Sequence, residues 1–437
     1  MFPEGAARGE GDGTGAGSGS RAPAGMGRDF SLVWASVAAS GLGDGVRFVA
    51  LPLLAARLTD DPRQLAAVAL AEQLPWLLSV LAGALADRAD RRRLLWAVDL
   101  VRAVVVGALA AGIAAGGVTV AVLITTGFLL GCGQTLYLAA WSGLIPSLVG
   151  RARLAPANAR LQSTGILTDT LLGPPLGAVL FGAATALPVS VDAVSFAMAS
   201  GLVLLSGAGR SGTAAVPAGG SRPSRPGRPF RAELLSGTVL LWQDGLLRGL
   251  SACGALAALV TDGLAAVLVL WARRTLHLDD LGYALLVAAF AAGGVTGAAV
   301  APRLPVRGVV RACPGVTALA AAGAALAHSG LLAGGCLTVY GAAFGAWGVH
   351  AATLRQSRTP TELLGRVGVA HATLTGAAGA VGTAAAGLLA AHAGLRAPFA
   401  AGAVLMAVGA ALMWGTTGRE AGPPAAGDAR KRRGAPG

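Results

Sequence analysis

Lysine is almost absent from this chain: of its 34 basic residues only Lys431 is a lysine, set between Arg430 and Arg432. A phosphate loop of the form Gly-x-x-x-x-Gly-Lys-Ser/Thr needs a lysine behind its glycines, so the chain is not its own P-loop ATPase. A lysine Schiff base within an apolar segment is excluded on the same ground. Charge of either sign is also scarce. Asp, Glu, Lys and Arg together make up 13% of the residues, against about 25% in water-soluble domains. A soluble protein of 437 residues needs more charge to cover its surface, so an ordinary water-soluble enzyme is excluded. Cysteine occurs four times, at Cys132, Cys253, Cys313 and Cys336, each in or beside an apolar run. None stands at a metal-ligand spacing from another, and all four read as small buried apolar residues. The five histidines are scattered. No metal, no other cofactor and no converging catalytic constellation is expected, so the chain does not read as an enzyme.

What is abundant is apolar sequence. Hydrophobic residues make up 54% and the mean hydropathy is +0.65. A membrane-spanning helix needs roughly 20 mostly apolar residues. Runs on that scale fall near 31–56, 65–86, 94–115, 118–139, 160–182, 187–206, 248–272, 282–302, 312–329, 332–353, 367–391 and 397–415. The expected fold is an all-α membrane protein with twelve transmembrane helices in two six-helix halves, residues 30–206 and 246–415. Residues 1–29, rich in Gly, Ala and Ser, read as a disordered N-terminal tail. The first apolar run carries Asp44 and Arg47 and reads as a span, not a cleaved leader. Residues 207–245 form the linker: Pro, Gly and Arg at that density cannot cross lipid. Its end, with Leu234, Leu235, Val239, Leu240 and Trp242, reads as a surface-lying amphipathic helix. Residues 416–437 form a basic tail.

With both termini inside, the connections on the inner side hold 26 basic residues and those on the outer side hold five: Arg57, Arg63, Arg273, Arg274 and Arg396. Cytoplasmic loops carry such an excess. The net charge of +13 is thereby explained by topology, and no nucleic-acid partner is needed. The halves also resemble each other. Asp44-Gly45 is followed 17 residues later by Asp61, and Asp262-Gly263 is followed 17 residues later by Asp279. Arg160 precedes Gly173 by 13 residues, as Arg366 precedes Gly379. Two repeated halves about a midplane cavity is a recurrent transporter plan.

After the second apolar run comes Gly83-Ala84-Leu85-Ala86-Asp87-Arg88-Ala89-Asp90-Arg91-Arg92-Arg93. It resembles the signature loop Gly-x-x-x-Asp-Arg-x-Gly-Arg-Arg of the major facilitator superfamily. The resemblance implies that fold, and a conformational latch at Gly83, Asp87, Arg88, Arg91 and Arg92. Asp87 at a helix C-terminus is disfavoured by the dipole and wants a cationic or helix-N-terminal partner. Asp90 departs from the pattern by replacing a glycine. Within the superfamily the strings Gly41-Leu42-Gly43-Asp44-Gly45, Ala50-Leu51-Pro52-Leu53-Leu54 and Leu154-Ala155-Pro156-Ala157-Asn158-Ala159 are similar to the branch of macrolide-efflux proteins and the enterobactin exporter. Gly173-Pro174-Pro175-Leu176-Gly177 is similar to an antiporter motif, which implies export; Gly173, Pro174 and Gly177 equally suit a kink and close helix packing. The arginine of the fourth span in many drug:proton antiporters is missing, with Phe128-Leu129-Leu130-Gly131 in its region.

An ionised side chain within the bilayer costs about 2.5–3.5 kcal/mol on insertion scales, so each one asks for a role. Asp44 and Arg47 share a face of the first span, and Asp99 and Arg102 a face of the third. Each set reads as a self-neutralising structural pair, the second bracing the signature loop. Asp44 and Arg47 are also candidates for proton coupling or substrate contact. Asp169 and Asp262 have no cation within one turn and are the preferred candidates. Glu72 and Asp192 fall nearer the outer ends of their spans, where a solvated role is expected. The resulting expectation is a monomeric secondary transporter in the plasma membrane. It would carry protons and an amphipathic small molecule (a drug, antibiotic or siderophore) outward by alternating access. Uptake of a metabolite, or a non-transporting sensor on the same fold, are the alternatives.

Overall fold

The computed structural model describes residues 27–79, 82, 85–86, 89–149, 154–206, 238–360 and 363–419. Among them secondary structure is entirely helical. Eleven helices are long and apolar enough to cross a membrane. The first group is α1 (Arg28–Leu58), α2 (Pro62–Gln73, prolonged by a tighter turn at Leu74–Leu78), α3 (Arg91–Ala114), α4 (Val120–Val149), α5 (Leu154–Gly165, a π-helical stretch Ile166–Leu172, then Gly173–Ala183) and α6 (Leu187–Leu205). The second is α7 (Gly245–Leu270, ending in a π-helical turn Trp271–Thr275), α8 (Asp280–Val300), α9 (Val306–Leu326), α10 (Gly330–Arg358), α11 (Leu364–Ala393) and α12 (Ala397–Arg419). The short α2 is the helix outside the eleven. Of the expected amphipathic helix, residues 238–243 are helical, with Leu241 buried and Trp242 exposed; residues 207–237 lie outside the described residues, as do 1–26 and 420–437 of the outer tails, while α1 already starts at Arg28 and α12 runs on to Arg419.

Helix starts use the few acids the chain has. Asp61, Asp90, Asp244 and Asp279 are the N-caps of α2, α3, α7 and α8, each accepting a main-chain N–H of the first turn at 2.7–2.9 Å. A cap of this kind is worth about 1 kcal/mol. The Arg63 side chain also bonds Asp61 and holds that carboxyl below the usual carboxylate range. Gly116, at φ 69°, turns the chain between α3 and α4, and Gly394, at φ 88°, ends α11; both are conformations that favour glycine.

The two groups pack alike. In the first, α1 lies on α5 and α6, α3 on α4 and α6, and α2 on α4; in the second, α7 lies on α11 and α12, α9 on α10 and α12, and α8 on α10. Between the groups, α2 meets α11 and α5 meets α8. Val101, Val104, Val179, Val194, Leu319 and Val404 point outward and are more than half exposed. An apolar exterior of this extent suits lipid and not water. We call the side on which α1 begins the near face and the side on which α1 leads into α2 the far face.

Candidate functional site

The site is built on α1. Gly43 and Gly45 take away side chains that would hold neighbouring helices off. A Cβ on Gly43 would overlap the Ser195 hydroxyl of α6, and one on Gly45 would overlap the Asp169 main chain of α5. With α5 and α6 so close, Arg47 is driven into the seam between α1, α2 and α6. Its three nitrogens reach three carboxylates on three helices. Nη2 donates to Asp44 Oδ1 on α1 at 2.8 Å, and Nη1 donates to Glu72 Oε1 on α2 at 2.7 Å. Nε lies 3.0 Å from Asp192 Oδ2 on α6, an ion pair with poorer alignment than the other two. The Arg47 side chain is 7% exposed and that of Asp192 is 0% exposed. A planar fork with donors on three sides can do this, and a lysine ammonium cannot.

A second guanidinium sits nearby. Arg102 on α3 donates to Gln134 of α4 and lies 4.7 Å over the Phe196 ring. Its Nη1 is 4.0 Å from Asp99 Oδ1, the outer limit of an ion pair. Neither Asp99 oxygen has a hydrogen-bond partner among the described residues. The two arginines thus face four buried or half-buried carboxyls: Asp44, Glu72, Asp99 and Asp192.

The centre opens into a cavity of about 300 Å³ between the two helix groups. Arg47, Glu72 and Trp76 line it from the first group, and Asp262 and Tyr283 from the second; most of the remaining lining is aliphatic. Gln73 Nε2, on the same wall, donates to Thr383 Oγ1 of α11 at 3.2 Å and joins the groups across the cavity edge. Asp262 packs tightly on α11, where a Cβ on Gly379 would overlap its carboxylate. Among the described residues its carboxylate has no hydrogen bond or ion pair.

Of the residues singled out by sequence, Asp44, Arg47 and Asp262 come together at the centre and its cavity. Asp169 stands in the π-helical stretch of α5, exposed, with no side-chain partner among the described residues. Such stretches are frequent at functional sites. Gly173 and Gly177 pack on α1, where a Cβ on Gly173 would come within 2.5 Å of the Gly45 Cα and one on Gly177 would overlap the Val46 carbonyl; Pro174 is buried beside them in the first turn of the last part of α5. Gly83, Asp87 and Arg88 lie outside the described residues. Of the rest of the signature loop, Arg91 opens α3 and Arg92 donates to the carbonyls of Val203 and Leu204. That caps the C-terminus of α6. Asp90, the departure from the pattern, caps α3.

Two expectations are corrected. Asp192 is not solvated: α6 begins at Leu187, but Asp192 points inward over Gly43 and is buried on Arg47. Glu72 lines the cavity with its side chain 39% exposed, as a solvated role allows. Asp44 and Arg47 do not form a closed pair, because the guanidinium is shared with two other helices. No local spacing marks these partners in the sequence; the packing of α1 against α2 and α6 brings them to one guanidinium.

A helical membrane bundle of two similarly packed groups, with a mostly aliphatic cavity between them that is charged at Arg47, Glu72 and Asp262, is the architecture of a transmembrane transporter of the major facilitator fold. The chain belongs to the transmembrane secretion effector family, whose model matches residues 20–422. Solved structures agree on the fold. A bacterial homologue of the iron transporter ferroportin in an inward-facing state is 17% identical, with a TM-score of 0.71, covering 89% of this chain and 98% of that one. A bacterial homologue of the human lysosomal transporter Spinster, inward-facing and occupied, is 14% identical, with a TM-score of 0.69, covering 91% and 98%. A nucleoside transporter is 11% identical, with a TM-score of 0.68, covering 89% and 99%. None of the curated proteins compared by sequence matches.

Proposed function

We propose that the chain is a twelve-span secondary active transporter that exports an amphipathic small molecule in exchange for protons. The observation that carries this reading is the acid-rich centre on Arg47, which opens into the cavity between the helix groups. Three carboxylates share one guanidinium there. The surplus gives the centre a capacity to take up protons, and protonation would loosen bonds that tie α1 to α2 and α6. Binding that favours one arrangement of the helices over another is what drives alternating access. Asp44 and Asp262, the repeat mates, supply carboxyls from the two sides; Asp169, held on α1 by the glycine contacts, is a third carrier. The mostly aliphatic lining suits an amphipathic cargo.

In this reading α2 is the twelfth span, and the halves are residues 30–206 and 246–415, joined by the 207–245 linker. The repeated packing supports them, as does the shared role of Asp61 and Asp279 as caps of the second helix of each group. The excess of arginine on the near-face connections supports a reading in which the near face and both termini are cytoplasmic; the membrane is then the plasma membrane, and the signature loop is the latch on its inner side. The protein acts as a monomer.

Everted and right-side-out vesicles with an imposed pH gradient test this, using a panel of fluorescent amphipathic dyes. The wild type is expected to accumulate dye in everted vesicles and to lose it when the gradient is collapsed. Asp44→Asn and Asp262→Asn are each expected to lower gradient-driven accumulation at least tenfold, and Asp169→Asn to lower it less. Accumulation only in right-side-out vesicles would establish uptake. Full accumulation by all three variants would overturn the coupling assignment.

A further inference from the structure

Of the five arginines on the far face, Arg63 binds Asp61 of its own cap and Arg396 donates to the Ala327 carbonyl. The other three converge on one place. At the end of α1, Arg57 Nη2 donates to Asp280 Oδ2 in the first turn of α8 at 3.2 Å. The π-helical turn that ends α7 places Arg273 Nε 3.9 Å from Asp280 Oδ1. The next residue, Arg274, pairs with the Asp60 carboxylate and donates to the Asp60 carbonyl at 3.2 Å. The first group is thus tied to the second at two points, Arg57–Asp280 and Arg274–Asp60. The cavity wall at Ala55, Leu65 and Tyr283 adjoins them in sequence.

The partners have a further property. Arg57 also donates to Thr185 Oγ1 at 2.7 Å and lies 4.2 Å over the Phe181 ring, both in its own group. Asp280 has Arg273 in its own group. Asp60 is 78% exposed on its side chain and Arg274 is 42% exposed, so both pass readily into water. Each charge therefore keeps a partner or gains solvent when the groups part, and no charge is stranded. Exposed ion pairs are individually weak, which suits a contact made to be broken.

We propose that Arg57–Asp280 and Arg274–Asp60 form a clasp that closes the far side of the cavity and exchanges to partners within each helix group when the transporter opens there. This rests on the alternating-access reading above, and the test separates the two. Full-length protein in lipid nanodiscs, with Cys132, Cys253, Cys313 and Cys336 changed to alanine, carries spin labels in two sets. Gly117→Cys with His328→Cys reports the far face, and Ala89→Cys with Val306→Cys the near face. Double electron–electron resonance gives each distance distribution.

The unmodified clasp is expected to give one short far-face distance. Arg57→Ala with Arg274→Asp is expected to move at least half of the population to a longer distance, while the near-face distance shortens. In a second variant, Arg274→Asp alone lengthens the far-face distance, and adding Asp60→Arg returns most of it, which also shows that the chain remains folded. An unchanged far-face distribution in a protein that melts like the wild type would overturn the clasp. Lengthening at the far face with no shortening at the near face would uphold the clasp and contradict the rocking motion of the proposed function.

Discussion

Changing Arg47 to alanine is expected to lower stability by about 3–5 kcal/mol and to abolish transport. Removing one partner of a buried ion pair leaves the other charge uncompensated, and costs of that size follow. Here three carboxylates lose their shared cation at once, and Asp192 has no exposure to water. Arg47→Lys is expected to recover only part of the loss, because one ammonium cannot meet Asp44, Glu72 and Asp192 together. The informative variant is the double one. If Asp192 is held in place by Arg47, then Arg47→Ala combined with Asp192→Asn should melt higher than Arg47→Ala alone, since the stranded charge is gone. Melting of the detergent-purified variants by tryptophan fluorescence decides it. An Arg47→Ala protein that melts with the wild type, or strictly additive losses in the double variant, would contradict the assignment.

The second large effect is expected at Gly45. Gly45→Ala puts a methyl group into the Asp169 main chain, against a backbone that cannot swing away as a side chain can. Overpacking of this kind typically costs about 1–3 kcal/mol. Because α1 and α5 would be pushed apart beside the centre, transport should fall by more than stability does. Gly165, one turn before Asp169, has open space where a methyl group would go, with no neighbouring atom within 4 Å. Gly165→Ala is therefore expected to be neutral or to add up to about 1 kcal/mol of helix propensity. Two Gly→Ala changes in helices that touch, with opposite signs, separate close packing from general helix preference. Equal effects on melting would contradict the packing account of the Gly173 to Gly177 motif as well, since Gly45 and Gly173 meet there.

The pattern of apolar runs and the superfamily were open to sequence reading because each is a local or periodic signal. Long apolar runs announce themselves. The spacing from Asp44 to Asp61 and from Asp262 to Asp279 carries the same start of helix in both groups, and Asp61 and Asp279 turn out to be caps. The Arg47 centre was only half legible. Asp44 is one turn away and was visible; Glu72 and Asp192 lie 25 and 145 residues along the chain, and only the packing of α1 against α2 and α6 unites them. Distance from a span's end misled for Asp192, because depth in the membrane does not say which way a helix face points. The far-face arginines read as mere exceptions to a charge bias. Their partners, Asp60 and Asp280, sit in loops and first turns where an acid is ordinary, so nothing in the local sequence marks a contact between groups.

On the proposed mechanism the cavity beside Arg47 opens to one face of the membrane at a time, and a closed far-face clasp leaves the near, arginine-rich face as the open one. Ala265 lines that cavity and is exposed. The direct measurement is the labelling rate of Ala265→Cys by a membrane-impermeant maleimide, with the four native cysteines replaced, in vesicles of both orientations. The expected result is rapid labelling from the near face and slow labelling from the far face. Equal rates from both faces, or labelling from the far face alone, would contradict it.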